Sequence, residues 1–341
     1  MGLLLITHPD CAKHVPPGGH PERPTRLTAA LDGISDLGLG TDIEQRDASL
    51  APLEALLLAH KPELIDELVA LDRRGGGGVD PDTSMSVGRW RGARLAAGAG
   101  LDAVIALQDD VADAAIAVVR PPGHNATPTR AMGFCLLNNV AVTAAVLADG
   151  GERVVILDFD AHHGNGTQAI YESDPRVLFV SLHQYPFYPG SGAAEEVGLH
   201  DGRGYTVNVP IPAGAGGETY RQAMDIIVEP AVAQFDPTWL LISAGFDGHR
   251  DDRISQVGLT AGDFADLTKR AKKWVPAGRT IVLLEGGYDL ASLRTSTAAV
   301  AGALVGSSLE SEALSDGAIG AELLPAMAAT RARAGLAGFD D

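Results

Sequence analysis

Short apolar runs punctuate this chain from one end to the other, and amphipathic stretches separate them. The clearest runs are "LLLIT" (3–7), "AAIAVV" (114–119), "RVVILDFD" (153–160), "VLFVSLH" (177–183), "YTVNVPI" (205–211), "WLLISAG" (239–245) and "TIVLLEGG" (280–287). Between them the apolar residues repeat at helical spacing. In "RPTRLTAALDGI", Leu27, Ala30, Leu31 and Ile34 share one face, and Pro24 suits a first turn. Residues 86–107, 136–149, 217–235, 260–275 and 290–306 show similar spacing. Strands alternating with helices predict an α/β fold, a mostly parallel sheet with helices on both faces. No internal repeat or linker divides residues 1–341, so one domain is expected, its alanine-rich end from about 320 a peripheral helix or tail. "GGGG" (75–78) and the turn-rich "VDPDT" after it mark the one flexible interruption.

Charge narrows the partners. With 26 basic and 44 acidic residues the net charge is −18, and no basic stripe is available to replace phosphate counterions, so nucleic acid is not an expected partner. The two cysteines, Cys11 and Cys135, offer neither a disulfide framework nor a thiolate zinc finger. "MGLLLITHPDC" lacks a basic leader, and its apolar run is too short for a signal or a membrane span. A cytoplasmic protein that does not bind membranes is expected.

In open parallel sheets, ligands bind beyond the carboxyl ends of the strands. Here the strand ends deliver chemistry: His124 follows "AAIAVV", while Asp158, Asp160 and His162 follow "RVVIL". Asp247 follows "WLLISAG", and Tyr288 follows "TIVLLEGG". Residues two apart on an extended chain face the same way, so Asp158, Asp160 and His162 line one side. Asp160 and His162 can grip one metal, and Asp247 makes a third ligand, the open N/O set of a hydrolytic zinc site. Asp158 taken alone reads as a helix cap, but the whole cluster does not. Metal-assisted hydrolysis needs a proton acceptor and an oxyanion donor, roles open to His124 and Tyr288.

Taken in order, these stretches resemble the histone deacetylase superfamily, more closely its class II and bacterial members. The matching segments are "HPERPTRL" (20–27), "DPDTS" (80–84), "RPPGH" (120–124), "MGFCLLNN" (132–139), "DFDAHHGNGTQ" (158–168), "SLHQYPFYPGSG" (181–192), "SAGFDGHRDD" (243–252) and "LEGGYDL" (284–290). The resemblance implies a three-layer arginase-like α/β domain and a zinc-dependent amidohydrolase that removes an acyl group from an acyl-lysine peptide or protein, or from an acylated small amine. It assigns zinc to Asp160, His162 and Asp247, carbonyl polarisation to Tyr288, and the first histidine of the catalytic pair to His124, oriented by Asp158. Gly133, Phe134 and Tyr188 would form the acyl-lysine channel, with His20 and Asp82 at its rim. A structural potassium ion would sit at Asp158, Asp160, His162, Ser181 and Leu182. Homo-oligomers occur among such relatives.

One position departs from the pattern. Where the family has a second histidine, this chain has Asn125, and its partner position carries another amide, Asn165. A carboxamide donates and accepts hydrogen bonds but cannot shuttle a proton near pH 7. Three explanations stand open: a replacement introduced to trap substrate, a natural enzyme in which His124 works alone at reduced rate, or a non-catalytic descendant that binds acyl-amines. An acetylpolyamine amidohydrolase is the competing enzyme reading. A binuclear arginase-type site is disfavoured, because Gly164 and His249 stand where second-metal aspartates are needed.

Overall fold

The computed structural model describes residues 2–16, 18–307 and 312–333. Among them, ten strands follow one another: β1 (Leu3–Thr7), β2 (Ile43–Asp47), β3 (Gly77–Gly78), β4 (Ser84–Met85), β5 (Ala114–Ala117), β6 (Val154–Asp158), β7 (Val177–Gln184), β8 (Thr206–Ile211), β9 (Trp239–Ala244) and β10 (Thr280–Leu284). Eight of these form one sheet in the order β2-β1-β5-β10-β9-β6-β7-β8, every neighbouring pair parallel. β3 and β4 make a separate antiparallel hairpin, so the glycine run at 75–78 is partly strand.

Every run read as a strand is one. β5, β6, β7, β9 and β10 are buried along their whole length, which requires cover on both faces. One helical layer packs Leu290–Val305 against Thr25–Asp36 and Ala261–Ala271; the other packs Arg89–Gln108 against Asn139–Asp149. Leu290–Val305 and Arg89–Gln108 both touch β1 and β5, so the two layers lie on opposite faces of the sheet. The result is the expected single α/β domain.

The differences from expectation have local causes. β2 reads Ile-Glu-Gln-Arg-Asp and is almost entirely exposed, because an edge strand is protected by charge rather than by burial. The helices Leu53–Ala59, Pro62–Arg73 and Asn165–Tyr171 add to those expected. Residues 217–235 are helical but not uniformly so. A π-helical turn spans Met224–Val228 just before Pro230, whose ring nitrogen has no proton to donate. The expected terminal element is the helix Leu324–Arg333.

All eight strands point the same way, so their carboxyl ends share one edge. The loop after β5 is tied down from outside the sheet. Buried His60 donates from Nδ1 to the Thr127 carbonyl (3.0 Å) and accepts the Asn138 N–H at Nε2 (2.9 Å). Those partners leave room only for the neutral ring, and burial lowers its pKa to about 4. Between pH 6.5 and about 4 the unfolded chain therefore takes up a proton that the folded chain refuses. Stability falls as pH falls through that window, by roughly 3 kcal/mol from this group. Melting curves against pH test this: His60→Gln is expected to have a flatter acid limb, and an unchanged slope would count against the assignment.

Candidate active site

Asp158 ends β6, and Asp160 and His162 follow it at alternate positions. Asp247 arrives from beyond β9. His162 Nδ1 lies 3.0 Å from both Asp160 Oδ1 and Asp247 Oδ2. One ligand atom from each of the three residues lies within 4.8 Å of the others. Two backbone donors aim the carboxylates: Gly286 N–H to Asp160 Oδ2 and Ala161 N–H to Asp247 Oδ1, each at 2.9 Å. Gly286 must lack a side chain, since a Cβ there would stand 2.3 Å from Asp247 Oδ2 and 2.5 Å from Asp160 Oδ2.

The electrostatics of this cluster call for a cation. Burial disfavours a charged imidazole, yet Asp247 and Asp160 outweigh it and carry His162 up to about 10. Burial and the Asp160 charge push Asp247 up to about 6. Two buried carboxylates thus compete for one proton on one ring. A divalent ion would neutralise them better and release that proton, and two oxygens with one imidazole nitrogen are a fitting donor set.

His124 Nδ1 meets Asp158 Oδ2 at 2.9 Å, while Nε2 faces the Asp160–His162–Asp247 cluster, 3.9 Å from Asp160 Oδ1. Burial opposes protonation of His124, but Asp158 and Asp160 override it and raise its pKa. Glu285 accepts the backbone N–H groups of Gly123 (2.6 Å) and His124 (3.1 Å), fixing the turn that presents the imidazole. Asn125 spends its Nδ2 on the His163 carbonyl and on Asn165 Oδ1, both at 3.0 Å. Its oxygen lies against Gly133, where an added Cβ would approach to 2.4 Å. The second position of the pair is thus an amide held by an amide, and neither titrates.

Tyr288 is held from behind. The Arg26 guanidinium sits 4.8 Å from its ring centroid and donates to the carbonyls of Gly287 and Glu285. Asp252 accepts the N–H groups of Tyr288 (2.5 Å) and Asp289 (3.0 Å). Burial pushes the phenol well above its ordinary pKa, so it remains an O–H donor.

These residues close a cavity of about 270 Å3 lined by His124, Asn125, Gly133, Phe134, His162 and Tyr288, with Asp82, Phe187, Tyr188 and Ile254 among its other walls. Phe134 has a positive φ of 66°, unusual for a bulky residue and costly unless its surroundings hold it. They do: its N–H donates to Thr83 Oγ1 (2.9 Å) and its carbonyl accepts from Arg89 (2.6 Å). His20 packs edge-on to Phe134 at 4.6 Å and donates from Nε2 to the Asp82 carbonyl (3.0 Å). Opposite, Phe187 stacks on His162 at 4.9 Å, while Tyr188 meets the same ring edge-on at 6.1 Å and remains partly exposed. Asp158 and Ser181 are register partners across β6 and β7, with Leu182 next along the strand. Ser181 Oγ bonds His183 Nδ1 at 2.9 Å.

The structure therefore gathers the expected metal, catalytic and channel residues at one place. Reading the sequence missed Phe187, Ile254, Arg26, Arg89 and Glu285. Phe187 sits next to Tyr188 in "PFYPGSG" and was within reach; the arginines and Glu285 act through backbone groups distant in sequence, which leave no local signal.

Residues 20–304 match the model of the histone deacetylase domain. The chain belongs to the histone deacetylase family. It is 41% identical to a probable deacetylase of Archaeoglobus fulgidus, over 84% of this chain and 81% of that one. Against the histone deacetylase-like amidohydrolase of Pseudomonas aeruginosa, identity is 40% over 80% of this chain and 73% of the relative. The crystal structure of the HDA15 HD domain superposes with a TM-score of 0.87 at 33% identity, covering 98% of each chain. This histone deacetylase relative thus shares both the fold and the sequence of a hydrolase family.

Proposed function

We propose that this chain is a zinc-dependent deacylase of acyl-lysine side chains, its turnover limited by Asn125. What supports the reading most is the convergence of Asp160, His162 and Asp247 with His124 and Tyr288 around one narrow cavity. A bound zinc ion would supply Lewis acidity toward the acyl carbonyl and acidify the attacking water.

The protein groups do the rest. Phe134 and Phe187 flank an extended alkyl stem and keep bulk water from it. Tyr288, locked as an O–H donor by Arg26 and Asp252, donates to the acyl oxygen as negative charge builds there. His124, backed by Asp158 at Nδ1, is placed to take the proton of the attacking water at Nε2 when its ring is neutral. Returning a proton to the leaving amine is the step for which Asn125 has no titratable atom. Asp82 stands at the mouth, able to accept a substrate backbone N–H. Apart from the Asp160–His162–Asp247 cluster it is the only carboxylate at this cavity among the described residues, and Ile254 adds an apolar wall, which suits a lysine stem better than a polycationic acetylpolyamine. The same reading places a potassium ion at Asp158, Asp160, His162, Ser181 and Leu182, where it would brace the metal loop.

The test uses the zinc-loaded chain against fluorogenic acetyl-, longer acyl- and trifluoroacetyl-lysine substrates, with acetylpolyamines alongside. Slow turnover of an acyl-lysine, abolished by a chelator, is expected. Preference for acetylpolyamines would replace the substrate class. Zinc and hydroxamate binding without turnover of any substrate would make the chain a binding protein.

A further inference from the structure

The amino ends of the strands, opposite the candidate active site, open on a second cavity of about 340 Å3. Arg153 borders it just before β6, and Arg203 and Tyr205 border it just before β8. Arg331 reaches in from the helix Leu324–Arg333. The length of β7, on the order of 25 Å, separates this place from the catalytic edge.

Three arginines line the cavity, and among the described residues no carboxylate does. Arg331 is only 3% exposed. It donates from Nη1 to the Thr206 carbonyl (2.8 Å) and from Nη2 to the Gly204 carbonyl (3.1 Å), but its buried Nε has no acceptor. Burial lowers its pKa to about 10, and among the described residues no acid offsets the loss of water. A guanidinium buried without an anion is costly, and this chain, with a net charge of −18, had carboxylates to spare. Arg203 is exposed, and among the described residues its side chain makes no hydrogen bond or ion pair. Arg153, by contrast, is already paired with Asp236 at 2.8 Å. Tyr205 and Phe235, edge to face at 5.8 Å, supply an aromatic wall.

We propose that this cavity is a phosphate-binding site, with the anion held between Arg331 and Arg203. Among the described residues neither guanidinium has a carboxylate partner, so the pair matches a dianion, with Arg331 Nε and the Arg203 fork left to donate to its oxygens. The volume lies in the range of small-molecule sites, and the Tyr205–Phe235 wall suits the flat body of a phosphate monoester. The free anion offers the same chemistry without a body.

Calorimetry and melting curves on the full chain, at constant ionic strength set with chloride, decide the matter using phenyl phosphate and inorganic phosphate as probes. A probe at ten times its Kd is expected to raise Tm by about 2 °C. A tighter response to phenyl phosphate assigns the ester; equal responses assign the free anion, and both uphold the site. Arg331→Leu is expected to abolish the response. Arg203→Ala, on an exposed residue that the fold does not need, is expected to weaken binding at least about tenfold. No response from the unmodified chain overturns the proposal, as does an Arg203→Ala variant that binds as well as the parent.

Discussion

Asn125→His is expected to raise acyl-lysine hydrolysis by the zinc-loaded chain roughly a hundredfold or more, within the 10²–10⁴ that a positioned general acid/base contributes. The geometry prepares for it. Asn165 Oδ1 and the His163 carbonyl already accept two hydrogen bonds from Asn125 Nδ2, so an imidazole there would find an acceptor for one ring N–H. Its other nitrogen would face the cavity that Asn125 lines. The gain should appear in kcat, because the proposed deficit is in proton delivery to the leaving amine rather than in substrate binding. A pH profile adds a second check: the variant should gain an ionisation near neutrality that the parent lacks. If kcat changes less than tenfold, the limiting step is not proton transfer and the assignment of Asn125 fails.

Asp247→Asn is expected to abolish zinc binding and, with it, any metal-dependent activity. Loss of an outer partner alone commonly costs about 10–100-fold in metal affinity, and a direct ligand should cost more. The substitution keeps the side-chain shape, and one oxygen can still accept the Ala161 N–H. It also removes one of two buried carboxylates that repel each other across His162. The metal-free variant should therefore melt no lower than the metal-free parent, while the rise in Tm that zinc gives the parent should vanish. A variant that still gains stability from zinc would show that the metal lies elsewhere.

How far the sequence reveals these features depends on whether a feature is local. The buried strands announce themselves as apolar runs, and Asp160 and His162 follow β6 at a spacing that already implies a shared face. β2 escaped because an exposed Glu-Gln-Arg edge carries no such mark. Phe134 could be recognised from its motif, but its left-handed backbone and the Arg89 and Thr83 bonds that hold it could not. Glu22 illustrates the same limit. It lies buried against Arg26, four residues on, and Arg120, 98 residues on, and the distant partner leaves no mark near residue 22. Its charge is kept in spite of burial because those guanidinium groups outweigh the loss of water, holding its pKa down at about 2.

The place of β10 in the sheet has a consequence for biogenesis. Among the described residues it is the last strand to be made, yet it sits between β5 and β9. Until it emerges, the nascent chain can build only two half-sheets, β2-β1-β5 and β9-β6-β7-β8, each with an apolar inner edge left unpaired. Such edges are the surfaces on which chains stick to one another, and pairing them across so much intervening sequence is slow. Insertion of β10 closes both edges and, four residues later, delivers Tyr288. Closing the sheet and completing the candidate site are thus one step of folding, and a chain that ends before residue 280 has neither.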